Sequence, residues 1–446
     1  MKNRDKIKGS MLGGAIGDAL GYPIKSIRNI QERQYFQYHG KGIISDNTQM
    51  SLFTANALLY DFTKYKIEGT AIPINDAIYL SYLDWLMTQI NQENYKKVSW
   101  IRDLPELNIS RIPNIVCINA LKSGLKGTIE TPINNNNGCE AITRITPIGL
   151  YLNTPAECGI VAANATAITH GNPFCIISSY VLSVLIYILS TTNKNIKDAL
   201  LEAVSIYNKS NIYDSQINLM FNQLMNKTIY LSEQDISDLE AIRSLGQGWT
   251  AEEAFAIAIY SCLKHSTSFM DTILCSVNHD GNSCATGSIA GNIIGAYLGY
   301  QQIPKYYVKN LELQDVLLEI ANDLSRDIMT QENSINNDEY WLSKYLNINR
   351  NVNVKTVYKM HKRRFNSSVS KFGRLIGLVI LVFFAIYNFI KYFESPNNLP
   401  IQLDDNGITK LLNSNHTKTK IYLLFLILFF VFAIFVLIRD KKKNIL

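Results

Sequence analysis

Four polar segments of this chain carry residue types that could do chemistry. The first, Asn278-His279-Asp280-Gly281-Asn282-Ser283-Cys284-Ala285-Thr286-Gly287, opens a helix in which glycine recurs every four positions. Free amides at a helix start, at the positive end of its dipole, can hold an anion such as a phosphate. Ordinary capping by Ser283 or Thr286 is the plainer reading. The second, Ser45-Asp46-Asn47-Thr48-Gln49-Met50, precedes an apolar helical run at 51–60. It either caps that helix through Ser45 or Asp46, or gathers hard oxygen ligands for a divalent cation, which usually needs carboxylates as well. The third runs from Asn134 through Gly138 to Arg144. A glycine-containing loop followed by arginine can embrace a phosphate or a sugar. The fourth, Thr169-His170-Gly171-Asn172-Pro173, ends a helix, where His170 is either a structural cap or a ligand contact.

Such loops need rigid elements to position them. Apolar residues recur at three- and four-residue spacing over 51–60, 74–90, 159–168, 174–190, 251–264, 270–277 and 287–300. Alternating strand-like runs are few, so residues 1–328 are expected to form an all-α domain. Gly9, Gly13, Gly17 and Gly21 lie four apart, as do Gly287, Gly291, Gly295 and Gly299. On a helix each series makes a smooth stripe that another backbone can approach. A helical glycine costs ~1 kcal/mol relative to alanine, so two such series point to tightly packed central helices. The asparagines at 134–137 read as a loop with local disorder.

The chain of 446 residues has room for roughly two to four domains. Its bias toward apolar residues is local. Residues 421–438 form an unbroken apolar run of 18, ~27 Å long as a helix and close to the ~30 Å of a hydrocarbon core. Residues 375–392 form a second run, apolar as far as 390 except for Asn388. A transmembrane helical hairpin is expected. The net charge of +6 is also concentrated there. Lys355, Lys359, Lys362, Arg363, Arg364, Lys371 and Arg374 precede the first run, and Arg439, Lys441, Lys442 and Lys443 follow the second. Beside apolar runs, such clusters favour a membrane surface over nucleic acid as partner. The positive-inside bias puts residues 1–370 and the C-terminal tail in the cytoplasm. Residues 329–370 read as a basic linker in which Trp341 and Leu342 are candidates to dock. Seven cysteines without a C-x-x-C pair argue against a disulfide framework or a structural zinc site and suit a reducing compartment. The first apolar stretch, broken by Gly13, Gly14, Gly17 and Asp18, reads unlike a signal peptide.

Taken in order, six segments resemble the ADP-ribosylglycohydrolase family over residues 6–328. They are Gly13-Gly14-Ala15-Ile16-Gly17-Asp18-Ala19-Leu20-Gly21, residues 45–50, residues 144–150, residues 169–173, Gly246-Gln247-Gly248-Trp249 with Ala251-Glu252-Glu253-Ala254, and residues 278–299. The resemblance implies an all-α fold. In active relatives it implies a binuclear magnesium centre that releases ADP-ribose from modified side chains. The family's first ligand motif is a hydroxyl residue, two aspartates and a threonine. Ser45, Asp46 and Thr48 match it, while Asn47 replaces the second aspartate. Where close relatives read Gly-Asp-Ser-Asp-Ser-Thr-Gly, this chain has Gly281-Asn282-Ser283-Cys284-Ala285-Thr286-Gly287. Lys25 stands where relatives carry a glutamate that organises the site. Glu140 follows Gly138-Cys139 where relatives read Gly-Cys-Gly.

Asp46 is thus the one carboxylate left from the implied metal set. The degenerate metal positions are Ser45, Asp46, Asn47, Asn282, Cys284 and Ala285. Mg²⁺ gives up water reluctantly and wants carboxylates or phosphates in exchange, and Cys284 is a soft ligand. An ammonium at ~4 Å would repel each unit of cation charge by about 4 kcal/mol at an effective dielectric near 20. No cofactor is expected to bind tightly. Lys25 is expected to occupy magnesium's space beside Asp46; the plainer alternative is a surface lysine pointing away. The expected function is a membrane-anchored pseudoenzyme. Its cytoplasmic domain would bind an ADP-ribose-type ligand or an ADP-ribosylated protein as a sensor or regulator, with homo-oligomerisation through the spans. Expected ligand-binding residues are Lys25, Ser45, Asp46, Asn47, Thr48, Gly138, Arg144, His170, Asn282, Ser283 and Thr286. Two alternatives stay open: a working Mg-dependent hydrolase with Asp46 as its catalytic carboxylate, and a structural membrane anchor.

Overall fold

Sixteen α-helices, with isolated bridges in place of any strand ladder, make up the described residues of this computed structural model: 3–25, 37–38, 40–90, 98–326 and 338–346. They are α1 (Arg4–Gly21), α2 (Asp46–Glu68), α3 (Ile74–Ile90), α4 (Ile115–Lys122), α5 (Thr146–Tyr151), α6 (Pro155–Ala167), α7 (Pro173–Thr191) and α8 (Ile196–Asn208). The second half holds α9 (Ser215–Ser232), α10 (Asp238–Leu245), α11 (Ala251–Lys264), α12 (Phe269–Val277), α13 (Ser283–Leu298), α14 (Lys305–Lys309), α15 (Gln314–Leu324) and α16 (Glu339–Tyr345). The chain divides into two compact units, 1–363 and 364–446. The expected hairpin at 375–392 and 421–438 and the basic tail lie outside the described residues.

The two glycine series pack against each other. Gly9 meets Gly295, Gly13 meets Gly291, Gly17 meets Gly287, and Gly21 meets Ser283, so α1 and α13 run antiparallel. A Cβ at Gly17 would lie 1.9 Å from the Gly287 carbonyl oxygen, and one at Gly13 would lie 2.3 Å from that of Gly291. Only hydrogen fits there. The pairing fixes the end of α1 beside the start of α13.

Helix ends follow local chemistry. Ser45 caps α2 by accepting from the Asn47 N–H, and Gly69 ends that helix in the left-handed region at φ 70°. The apolar pattern at 51–60 is thus the middle of a longer helix, whose last turns carry the Lys64–Glu68 ion pair at 3.3 Å. α13 starts earlier than its apolar pattern, because Asn282 caps it by accepting from the Ala285 N–H. Ser283 and Thr286, the expected caps, do other things. Among the described residues one helix, α7, is long and apolar enough to span a membrane, with a mean hydropathy of 2.0; 83% of its apolar window is buried inside the domain. It serves as a core helix here.

The asparagine run, expected to be loose, is held, and the linker docks at the two residues expected to do so. Asn134 Nδ2 donates to the Thr169 carbonyl at 2.8 Å, Gly138 N–H donates to Asn136 Oδ1 at 2.8 Å, and Asn137 Nδ2 reaches both carboxylate oxygens of Glu252. The asparagine run is a fastened loop rather than a disordered one, because amide side chains supply the bonds its backbone lacks. In the linker, α16 docks through Trp341, whose Nε1 donates to Thr63 Oγ1 at 2.9 Å. Lys344 pairs with Glu319 and Asp323, and Tyr345 Oη donates to Asp323. Trp341 and Leu342 are both buried.

Candidate functional site

The end of α1, the start of α2 and the start of α13 converge, and Asp18 ties the first two together. Asp18 is fully buried in the glycine-lined helix α1. Its Oδ2 accepts from the Ser45 N–H at 2.8 Å and from Thr48 Oγ1 at 2.6 Å. Its Oδ1 accepts from Ser45 Oγ at 2.5 Å and from Asn47 Nδ2 at 3.3 Å. A carboxylate at a helix N-terminus is favoured by the dipole and the free amides. Burial nevertheless raises the Asp18 pKa, against the four hydrogen bonds that lower it. Sequence reading placed Asp18 in the family frame but gave it no site role. Its signal was an acid set in a run of glycine and alanine.

Asp46, one residue into α2, is the next carboxylate. It is 4% exposed and accepts from the Asn114 N–H at 3.1 Å. Burial first, then Glu140, raise its pKa to about 7, against the pull of Lys25. Glu140 lies in a short 3-10 turn at Cys139–Ala141 and was not expected in the site. Lys25 closes the 3-10 turn Tyr22–Ile24 that follows α1. Burial alone would lower its pKa, but the neighbouring carboxylates of Asp46 and Glu140 hold it above the ordinary lysine value. Lys25 therefore faces the site. Its Nζ lies 6.0 Å from the Trp249 ring centroid, and among the described residues it forms no ion pair with Asp46 within 4 Å.

Two of the substituted ligand positions, Asn47 and Asn282, are cross-linkers. Asn47 donates to Asp18 and accepts from Thr143 Oγ1 at 3.0 Å. Asn282 Nδ2 contacts Cys139 Sγ at 2.9 Å, and Cys284 Sγ donates to Asn282 Oδ1 at 3.1 Å. Burial raises the pKa of both thiols far above the usual range, so they stay protonated at neutral pH. Ala285 is buried and offers no donor. The Ser283 hydroxyl is buried with no hydrogen-bond partner among the described residues. The loop before α13 is set by its surroundings. Gly281 packs against the Gln247 carbonyl, where a Cβ would lie at 1.7 Å, and the Asn282 N–H donates to that same oxygen at 2.9 Å. His279 braces the loop from within, 2.8 Å from Thr286 Oγ1, and burial lowers its pKa to about 4.

Several expected site residues turn inward. Thr286 Oγ1 donates to the Ser276 carbonyl at 2.7 Å. Arg144 is fully buried. Its Nη2 donates to Thr169 Oγ1 at 2.5 Å, and its Cζ lies 4.4 Å from the Tyr82 ring centroid. Arg144 is thus a pillar between α3 and the 169–170 loop. His170 accepts or donates at Nδ1 to Thr169 Oγ1 at 2.8 Å, and burial with nearby Arg144 lowers its pKa to about 3. Gly138 is tightly packed: a Cβ there would lie 2.7 Å from Glu140 Oε2 and 3.2 Å from His170 Nε2. Asp280 points elsewhere, paired with Arg243 at 2.9 Å. The groups brought together are therefore Lys25, Ser45, Asp46, Asn47, Thr48, Asn282 and Cys284, with Asp18, Cys139 and Glu140 added by the fold.

No curated protein matches this chain. Among solved structures, one titled "ADP-ribosylglycohydrolase-related protein complex" is similar at a TM-score of 0.51 and 18% identity, covering 72% of this chain and 97% of that one. At that identity the likeness bears on the fold. A family model described as ADP-ribosylglycohydrolase matches residues 1–334, three quarters of the sequence. This chain belongs to the ADP-ribosylglycohydrolase family.

Proposed function

We propose that the domain binds an ADP-ribose-type ligand, free or attached to a protein, without metal-dependent hydrolysis, and that it acts as a sensor or regulator coupled to a membrane. Active members of the family use magnesium. The donor set here does not suit that ion. Asp46 is the one carboxylate at a matching ligand position, and its pKa of about 7 leaves it half protonated near neutral pH. Both amides are committed to neighbours, Cys284 is a protonated thiol, and Ala285 has no donor. The observation that carries the reading is Lys25, a cation set among Asp46, Glu140 and Cys284. A cationic side chain beside the N-terminus of α13 favours an anionic ligand such as a diphosphate. The membrane part of the proposal rests on the apolar runs at 375–392 and 421–438 and their basic flanks.

The test is titration of the purified full-length chain with ADP-ribose, with and without Mg²⁺, beside Lys25→Glu. Binding without magnesium, weakened roughly tenfold or more by the charge reversal, is the expected result. Stoichiometric bound magnesium with magnesium-dependent release of ADP-ribose from a modified protein would establish the hydrolase instead.

A further inference from the structure

Away from these loops, Asp238, His265 and Cys275 come together from three different helices. Asp238 is the first residue of α10, His265 closes α11, and Cys275 lies within α12. One ligand atom from each lies within 4.8 Å of the others. The three share no residue with the candidate site, and nothing in the 278–287 loop depends on them for a ligand.

We propose that this triad binds one zinc ion, as a clasp across α10, α11 and α12. The donor types are a thiolate, an imidazole and a carboxylate. That mixture suits a borderline cation such as Zn²⁺ and is a poor match for Mg²⁺ or Ca²⁺, which prefer all-oxygen sites. Three protein ligands leave a fourth tetrahedral position for water. The geometry is close to what is needed. Zinc bonds of about 2.0–2.3 Å set tetrahedral ligand atoms ~3.5 Å apart. His265 Nε2 and Asp238 Oδ2 lie 2.8 Å apart as a hydrogen-bonded pair, so a metal has to open that pair by ~0.7 Å. The surroundings orient the ligands. Tyr260 Oη donates to Asp238 Oδ1 at 3.0 Å, which turns Oδ2 toward His265. Thr272 Oγ1 holds the His265 carbonyl at 2.9 Å. Such bonds to ligand residues are the usual support of a metal site. The path is open on one side: the Asp238 and His265 side chains are 23% and 21% exposed, while Cys275 forms the buried floor.

The purified full-length chain, stripped with a chelator and dialysed against Zn²⁺, is expected to retain one zinc and to melt at a higher temperature than the stripped form. Replacing zinc with Co²⁺ is expected to give a thiolate-to-cobalt charge-transfer band. His265→Gln and Cys275→Ser each weaken zinc binding roughly tenfold or more and abolish the thermal gain. Cys275→Ser also removes the cobalt band. Cys284→Ser, in the other cluster of thiols, leaves zinc binding unchanged. If Cys275→Ser fails to fold, the partly exposed His265→Gln decides. No zinc retained by the wild-type chain, zinc retained equally by His265→Gln, or zinc lost in Cys284→Ser would each overturn the assignment.

Discussion

Asp46→Asn is expected to stabilise the domain at and above neutral pH. The Asp46 carboxyl is 4% exposed, accepts from one backbone N–H and lies beside a second acid. Its folded pKa is about 7, against an unfolded value near ~3.9. The folded state therefore holds its proton more tightly than the unfolded chain does. The contribution of this group is fully favourable below pH ~4 and is lost as pH rises through 7. The gap of ~3 units corresponds to about 4 kcal/mol at 1.36 kcal/mol per unit. Asparagine keeps the shape and the acceptor for Asn114, and it carries no charge to bury. Urea unfolding of the two proteins from pH 4 to pH 8.5 gives the comparison. The difference should be small at the acid end, grow through neutrality and level off above pH ~8. His170 and His279, with pKa values lowered by burial to about 3 and about 4, impose an acid-side loss on both proteins and cancel in the difference. Parallel profiles would refute the reasoning, since they require an Asp46 that titrates alike folded and unfolded.

Gly17→Ala places a methyl 1.9 Å from the Gly287 carbonyl oxygen and should destabilise by ~3 kcal/mol or more, the upper end for overpacking; thermal melts against Gly14→Ala, whose nearest clash is the Asn292 side chain, check whether backbone contact is the cause. Asp18→Asn removes one of two oxygens that between them accept from Ser45, Asn47 and Thr48. It should cost about 1–3 kcal/mol in urea unfolding and weaken ADP-ribose binding by loosening the start of α2; an unchanged midpoint would remove Asp18 from its role as the tie.

Much of this arrangement is written in short-range pattern. The period of the apolar residues marks α3, α7, α11 and α12 nearly to the residue, because each buries a broad face over a long run. The glycine stripes read as close packing, but not as partners of each other. That pairing is a register between residues 262 to 286 positions apart, and neither stripe carries it alone. A shorter separation also hides Asp18 from a local reading, since the bonds it accepts reach 27 to 30 residues along the chain. Capping misleads for a different reason: Asn282, Ser283 and Thr286 all have suitable side chains, and only the backbone turn at Gly281 decides that Asn282 takes the cap. Lys25 is the sharpest case. A lysine after a helix usually faces water, and its inward turn depends on acids at 46 and 140.

The two asparagines explain how the scaffold keeps its shape with so few acids. A metal pair would bridge the loops by drawing several carboxylates to one charge. An amide bridges by donating and accepting at once. Asn47 joins Asp18 to Thr143, and Asn282 joins Cys139 to Cys284. The substitutions are therefore coupled, and returning one acid should do harm. In Asn47→Asp the donor to Asp18 is lost and a second carboxylate sits ~3.3 Å from the first, a repulsion of about 5 kcal/mol at an effective dielectric near 20 unless one of them takes up a proton. The variant should be less stable than the wild type at pH 8 and recover on the acid side as the pair shares a proton. Asn47→Asp with Lys25→Glu should in addition gain stability from millimolar Mg²⁺, where the wild type gains none. A single variant as stable as the wild type at pH 8 would mean that hydrogen bonds through Asn47 do not hold these loops together, and the proposed coupling between the substituted positions would fall with them.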